Sequence, residues 1–204
     1  MSEERELLDR FAGPEEDLER LGRRLAERAE AEGLLEVAWR TVESPVGRLL
    51  LAATDRGLLR VAFANEDPDA VLADLARRVS PRLLRASRRL DPVVGELEEY
   101  FAGRRRVFDL PLDQRLSTPF RRRVQQQLPR IPYGSTATYR EVAVAAENPG
   151  AVRAVGSACA TNPLPIVVPC HRVVRGDGTT GGYRGGPAVK QLLLALERGE
   201  RPAA

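Results

Sequence analysis

Leu164-Pro165-Ile166-Val167-Val168-Pro169-Cys170-His171-Arg172 is the stretch on which the reading of this chain turns. It sets the only histidine beside one of only two cysteines, at the end of an apolar run. A thiol is a nucleophile only as its thiolate, and a neighbouring imidazole is the usual means of generating that anion near neutral pH. The run predicts a buried, strand-like segment with the thiol at its end, and the prolines fix backbone angles that would hold Cys170 in a set direction. Pro169–Arg172 taken alone reads equally as an inert buried thiol beside an incidental surface histidine.

The flanking sequence is helical. Thr118-Pro119 opens a helix running to about Leu128, and Thr138-Tyr139-Arg140-Glu141 is a capping box opening a second. Asn148-Pro149-Gly150 breaks that helix, and Ala151–Ala160 forms a third. Two short helices joined by a tight turn are consistent with a helix-turn-helix. The second presents small residues (Ala151, Ala154, Ser157, Ala158) that would let DNA approach closely, although small residues are also ordinary helix packing. Beyond the thiol lies a glycine-rich loop, Gly176–Gly186, and then Leu192-Leu193-Leu194-Ala195-Leu196-Glu197.

Phe120 to Glu197, with Pro169-Cys170-His171-Arg172-Val173-Val174 preceded by Ala154-Val155-Gly156 and Asn162-Pro163 and followed by Gly182-Tyr183-Arg184-Gly185-Gly186, resembles the O6-alkylguanine-DNA alkyltransferases. A looser resemblance reaches back to about Glu36, through Ser44–Thr54 and Gly57–Phe63; residues before Gly33 match nothing in the family core. The resemblance implies irreversible, stoichiometric transfer of an alkyl group from O6-alkylguanine, and also O4-alkylthymine, in double-stranded DNA to Cys170. His171 would act through a bridging water, with Glu197 orienting its other ring nitrogen. Asn162 would be a hinge between the DNA-reading helix and the active-site turn. The target base must leave the duplex to be reached. Arg153 would fill the vacated space, and Tyr139 would crowd the target's phosphate and bond guanine N3. Ala151, Ala154 and Arg121 complete the implied DNA-binding set. Pro165, Val173, Tyr183, Arg184 and Gly185 form the implied base pocket, with Arg184 standing where some relatives carry a small residue. No cofactor is implied, and the protein would act as a monomer.

Other readings of the same residues are a non-catalytic helix-turn-helix lesion sensor or regulator and a cysteine hydrolase. The first sits poorly with the presence of Cys170. The second sits poorly with a thiol and imidazole adjacent in sequence.

Charge supports a polyanionic partner. Residues 116–204 carry twelve basic and five acidic residues, net +7, whereas residues 1–115 carry twenty and twenty-four, net −4. Lys190 is the single lysine among 32 basic residues, a bias that points to a GC-rich genome rather than to function. Two cysteines give no disulfide framework. Charge-dominated Met1–Arg10 predicts no signal peptide or membrane span, so a cytoplasmic, nucleoid-associated protein with reduced thiols is expected. Cys159, Cys170 and His171 are too few and too poorly spaced for zinc. The zinc site that some relatives carry near the N-terminus has no counterpart here, since no Cys or His precedes Cys159.

The chain divides into a helical extension (1–33), an α/β domain (34–115) and a DNA-binding alkyltransferase domain (116–204). In the extension, Glu15–Glu32 predicts an amphipathic helix opened by Pro14, striped by Leu18, Leu21 and Leu25 and stopped by Gly33. Packing on its own domain and a role in partner binding are both open to it. Leu35–Thr41, Leu49–Thr54 and Leu58–Ala64 predict three strands, separated by turns at Ser44–Gly47 and Asp55–Gly57. Helices at Asp67–Val79 and Asp91–Ala102 would each start with an Asp cap and a proline, and Pro111–Leu116 would be a linker. The fold class is thus an α/β N-terminal domain with a small three-stranded antiparallel sheet, and a mainly α C-terminal domain with a helix-turn-helix.

Overall fold

A computed structural model describes residues 15–86 and 88–200. A sheet of order β3-β2-β1-β4 organises the N-terminal part: β1 (Val37–Val42), β2 (Leu49–Thr54), β3 (Gly57–Phe63) and β4 (Leu83–Arg85). The three expected strands are antiparallel neighbours, with Trp39 opposite Ala52 and Leu51 opposite Val61. A fourth strand, absent from the sequence reading, pairs parallel to β1 through Val37 and Leu83.

Strand β2, Leu-Leu-Leu-Ala-Ala-Thr, is buried along its whole length because it is covered on both faces. On one side Ala52 joins Val37, Leu59 and Leu75, the last from α2 (Pro68–Arg78). On the other, Leu49, Leu51 and Ala53 join a core that runs on into the C-terminal part through Val124, Val155, Cys170 and Leu193. One apolar core therefore underlies both halves, and the thiol belongs to it.

Helix α1 (Glu15–Ala31) ends just before Gly33 as expected; Pro14 and the side chain of Leu18 lie outside the described residues. It packs through Ala26 and Ala29, and Leu21 and Leu25 face solvent, the reverse of a leucine-in reading. Asp67 caps α2 by accepting from Asp69 N. Asp91 does not cap α3 (Asp91–Phe101): a 3₁₀ turn at Arg88–Leu90 leads straight in, and Asp91 pairs with Arg40 at 2.8 Å. The segment Pro111–Leu116, expected as a linker, is hydrogen-bonded to β3: Leu58 N donates to Pro111 O and Asp113 N to Leu58 O, both at 2.8 Å.

In the C-terminal part, α4 (Pro119–Gln127), α5 (Tyr139–Ala145) and α6 (Val152–Ala160) pack together. Thr138 and Glu141 form the capping box that starts α5. The turn into α6 passes through Glu147 in the left-handed region, with Asn148 N bonded to Ala143 O at 2.9 Å. Ala154 and Ser157 lie on the exposed face of α6, Ala151 is half-buried, and Ala158 is fully buried, so it belongs to the core rather than to the outer face. Two-residue strands β5 (Ala137–Thr138) and β6 (Val173–Val174) pair parallel, and α7 (Pro187–Glu197) follows. Among the described residues no helix is long and apolar enough to cross a membrane.

Candidate active site and nucleic-acid interface

Leu164–Pro169 is not a strand. It is a succession of turns, with Ile166 at φ 73°. Pro165 and Pro169 lack the N–H groups that a sheet ladder needs. The Asn162 side chain supplies the missing order from inside the loop. Its Nδ2 donates to Val168 O at 2.8 Å and to Cys170 Sγ at 3.2 Å, and its Oδ1 accepts from Leu164 N at 3.0 Å. Asn162 thereby ties the end of α6 to the thiol.

Cys170 begins a 3₁₀ turn, Cys170–Arg172, and is 3% exposed. Burial pushes its thiol up to about 11, against the pull of the Asn162 hydrogen bond and the Lys190 charge. The resting group is therefore a neutral thiol, and a base must generate the thiolate. Cys159, also buried, is pushed up further, first by desolvation and then by the other thiol.

His171 is completely buried, and its Nε2 lies 2.8 Å from Glu197 Oε1. Glu197 also accepts from Tyr100 Oη (2.8 Å), Gly134 N (3.1 Å) and Arg172, whose Nε lies 2.9 Å from Oε2. Burial alone would raise this carboxyl, but the bonds from His171 and Arg172 outweigh it and hold the carboxyl at about 2. The carboxylate is thus ionised at any working pH. Nε2 must carry the proton that it accepts, which leaves Nδ1 as the basic ring atom. Nδ1 has no hydrogen-bond partner among the described residues. Burial depresses the imidazole's affinity for protons, against the pull of Glu197, so His171 rests neutral and able to take one.

Three of these partners have no role in the sequence reading. Tyr100 comes from α3, 97 positions from Glu197. Gly134 sits at φ 78°, where a Cβ would meet Glu197 O at 2.9 Å, so only glycine lets its N–H reach the carboxylate. Arg172 stood in the motif itself; its Nη1 also donates to Ile131 O at 2.7 Å. A fourth missed residue is Lys190. The single lysine of an arginine-rich chain is buried, and its Nζ donates to Val173 O at 2.6 Å and to Thr180 O. It fastens β6 to the glycine-rich loop, and burial lowers its pKa.

Of the implied pocket residues, Val173 and Tyr183 share the apolar core with Cys170. Pro165 and Val173 are buried. Tyr183 stands edge-on to His171, ring centroids 6.4 Å apart, and burial raises its phenol well above the ordinary range. Gly185 packs on Phe63. The Arg184 side chain is directed to Glu66 of the N-terminal part, Nε to Oε2 3.4 Å. Tyr139 is half-buried at the start of α5, and its hydroxyl lies against Gly181 of the loop. Burial, then the two nearby thiols, raise its pKa. Arg153 and Ala154 are exposed near the N-terminus of α6, beside half-buried Ala151. Arg121 lines a cleft between the two halves together with Arg60, Thr161 and Arg184. No group of three His, Cys, Asp or Glu side chains among the described residues could hold a metal ion.

A buried thiol, a neutral imidazole oriented by an ionised carboxylate, and an exposed helix-turn-helix beside them define a thiol group-transfer protein built on a DNA-binding scaffold. Residues 37–114 match the family model for the 6-O-methylguanine DNA methyltransferase ribonuclease-like domain, and residues 119–199 match that for its DNA binding domain. The chain is 40% identical over 162 residues to the constitutive methylated-DNA–protein-cysteine methyltransferase of Bacillus subtilis, covering 78% of this chain and 93% of that protein. It is 42% identical over 168 residues to the enzyme of the same name from Mycolicibacterium paratuberculosis, covering 82% and 96%. The Mycobacterium tuberculosis OGT crystallised in complex with DNA superposes with a TM-score of 0.70 at 38% identity, over 81% of this chain and 96% of that one. The chain belongs to the O6-methylguanine-DNA methyltransferase family.

Proposed function

We propose that this protein repairs DNA by direct reversal, moving the alkyl group of O6-alkylguanine, and of O4-alkylthymine, onto Cys170 in a single turnover. The observation that carries the reading is the Sγ of Cys170 held by Asn162 beside a His171 whose Nε2 is fixed on ionised Glu197. As the lesion enters, the thiol proton passes towards Nδ1 of His171 through a bridging water, and Glu197 stabilises the imidazolium. Sulfur attacks the alkyl carbon, the C–O6 bond breaks, and its electron pair stays on the base. The proton returns to the guanine at N1, so one S–H and one O–alkyl bond become one S–alkyl and one N–H bond. The thioether is stable and no group here reverses it, so each molecule acts once.

Duplex DNA meets the exposed face of α6, where Ala151 and Ala154 permit close approach. Arg153 enters the stack as the lesion leaves it, and Tyr139 stands by the target's phosphate. Arg121 adds positive charge to the approach. The protein works as a monomer, without cofactor or metal, on DNA in the cytoplasm.

Intact-mass measurement after incubation with duplex containing O6-methylguanine tests the reading. One protein gains about 14 Da, one methyl for one hydrogen on the nucleophile, and Cys170→Ser gains nothing. Methyl mapped to Cys159, or more than one lesion repaired per molecule, overturns it. Lesion binding with no mass gain would instead leave a helix-turn-helix lesion sensor.

A further inference from the structure

The end of β3 packs against the thiol site and its glycine-rich loop. Val61 N donates to Pro163 O at 2.8 Å, beside Asn162, so the strand backs one side of the thiol site. Phe63, two residues on, backs the other. Its ring is edge-on to Tyr183 at 5.5 Å and so close to Gly185 that a Cβ there would lie 3.0 Å from ring carbons. Asn65 Nδ2 then donates to Arg184 O at 2.9 Å, and Glu66 faces the Arg184 guanidinium. Glu66 is itself held by Phe63 N (3.0 Å) and by buried Arg60. The Arg184 side chain consequently lines a cleft of about 440 Å³ between the halves, together with Arg60, Glu66, Arg121 and Thr161.

We infer that Asn65 and Glu66 are positioning residues that set the width of the alkyl pocket. They hold the wall Tyr183–Gly185 against Phe63 and keep the Arg184 guanidinium turned into the interdomain cleft. This rests on the alkyl-transfer reading and adds a determinant of which alkyl groups fit. A long cationic side chain without a counter-charge swings freely, and over the pocket mouth it excludes a bulky group far more than a methyl. Asn65 acts on the main chain of the wall and Glu66 on the side chain, so the two contacts can be removed separately.

The test uses the full chain and two duplexes of one sequence, carrying O6-methylguanine or O6-benzylguanine, with single-turnover rates measured for each. Asn65→Ala and Glu66→Gln each lower the benzyl-to-methyl rate ratio by about fivefold, the size expected for one hydrogen bond or ion pair. Glu66→Gln leaves the ratio unchanged in an Arg184→Gly background, because the side chain that it restrains is gone. Asn65 is exposed, so its alanine variant keeps its fold and serves if Glu66→Gln melts early. A wild-type ratio in Asn65→Ala overturns the inference. So does an equal Glu66→Gln effect with and without Arg184, which would make Glu66 a support for Arg60 alone. A wild-type protein that takes neither alkyl group would defeat the transfer reading and this inference together; reaction with flat ratios defeats only the inference.

Discussion

Tyr100→Phe separates the architecture of the site from its chemistry. The ring of Tyr100 is fully buried and packs on Phe101, Phe108 and Tyr133 with centroids 5.4, 5.3 and 6.1 Å away. Phenylalanine keeps those contacts and deletes only the hydroxyl that donates to Glu197 at 2.8 Å. A hydrogen bond to a charged group contributes about 1.5–3 kcal/mol. Glu197 keeps its bonds from His171, Arg172 and Gly134, so the carboxylate is not orphaned and the cost falls at about 2 kcal/mol. For a chain of this size that lowers Tm by about 4–8 °C. Thermal melts and urea titrations of both proteins read the change, with an unchanged urea slope showing that the native state has kept its compactness. The single-turnover methyl-transfer rate should move little, because Glu197 stays ionised and His171 stays fixed. A Tm within about 1 °C of wild type would refute the reasoning, since a drop of about 2 kcal/mol cannot hide in so small a shift.

Two further outcomes follow from the same geometry. Glu197 is held at about 2, below its ordinary 4.5, so the folded state binds fewer protons than the unfolded one in that interval. Stability from this group is complete above pH 4.5 and is lost as pH falls towards 2, about 3 kcal/mol in all. His171, whose pKa is lowered by burial, acts in the same direction, its contribution fading as pH falls below 6.5. Glu197→Gln should therefore be less stable at pH 7 but show a flatter urea midpoint between pH 4.5 and 2; a slope equal to wild type would refute this. Arg153→Ala should react with free O6-benzylguanine at close to the wild-type rate while duplex repair falls sharply, because only the duplex needs an inserted side chain. Equal losses on both substrates would make Arg153 a support of the fold.

What the sequence made legible was what is local. The capping box at Thr138–Glu141 and the break at Asn148–Gly150 are decided by a few adjacent residues; α5 starts at the one and stops before the other, and α6 begins just after the break. Cys170, His171 and Asn162 stand within nine positions of one another, so a tight turn between them is enough to bring them together. Tyr100 and Gly134 reach Glu197 across 97 and 63 positions and leave no periodic trace. Strand β4 is three residues long and pairs parallel, so no hairpin turn announces it. The strand expected at Leu164–Pro169 failed for a reason visible in advance: two prolines cannot donate to a ladder. Lys190 carried a signal that composition alone discounts, since an isolated lysine in an arginine-rich chain marks a place where a compact ammonium fits and a guanidinium does not.

The bond from Tyr100 to Glu197 has a bearing on inheritance. It crosses from the α/β part into the reaction centre, so the boundary between the two parts is not a neutral place to cut and rejoin chains. A chimera that took residues 119–199 from one relative and the preceding part from another would carry over the thiol, the imidazole and the reading helix intact. Unless the donor also brought a phenol to the right turn of α3, the carboxylate would meet a foreign surface. Recombination between family members should therefore succeed or fail on a residue that never touches DNA, and the two parts should change together in evolution.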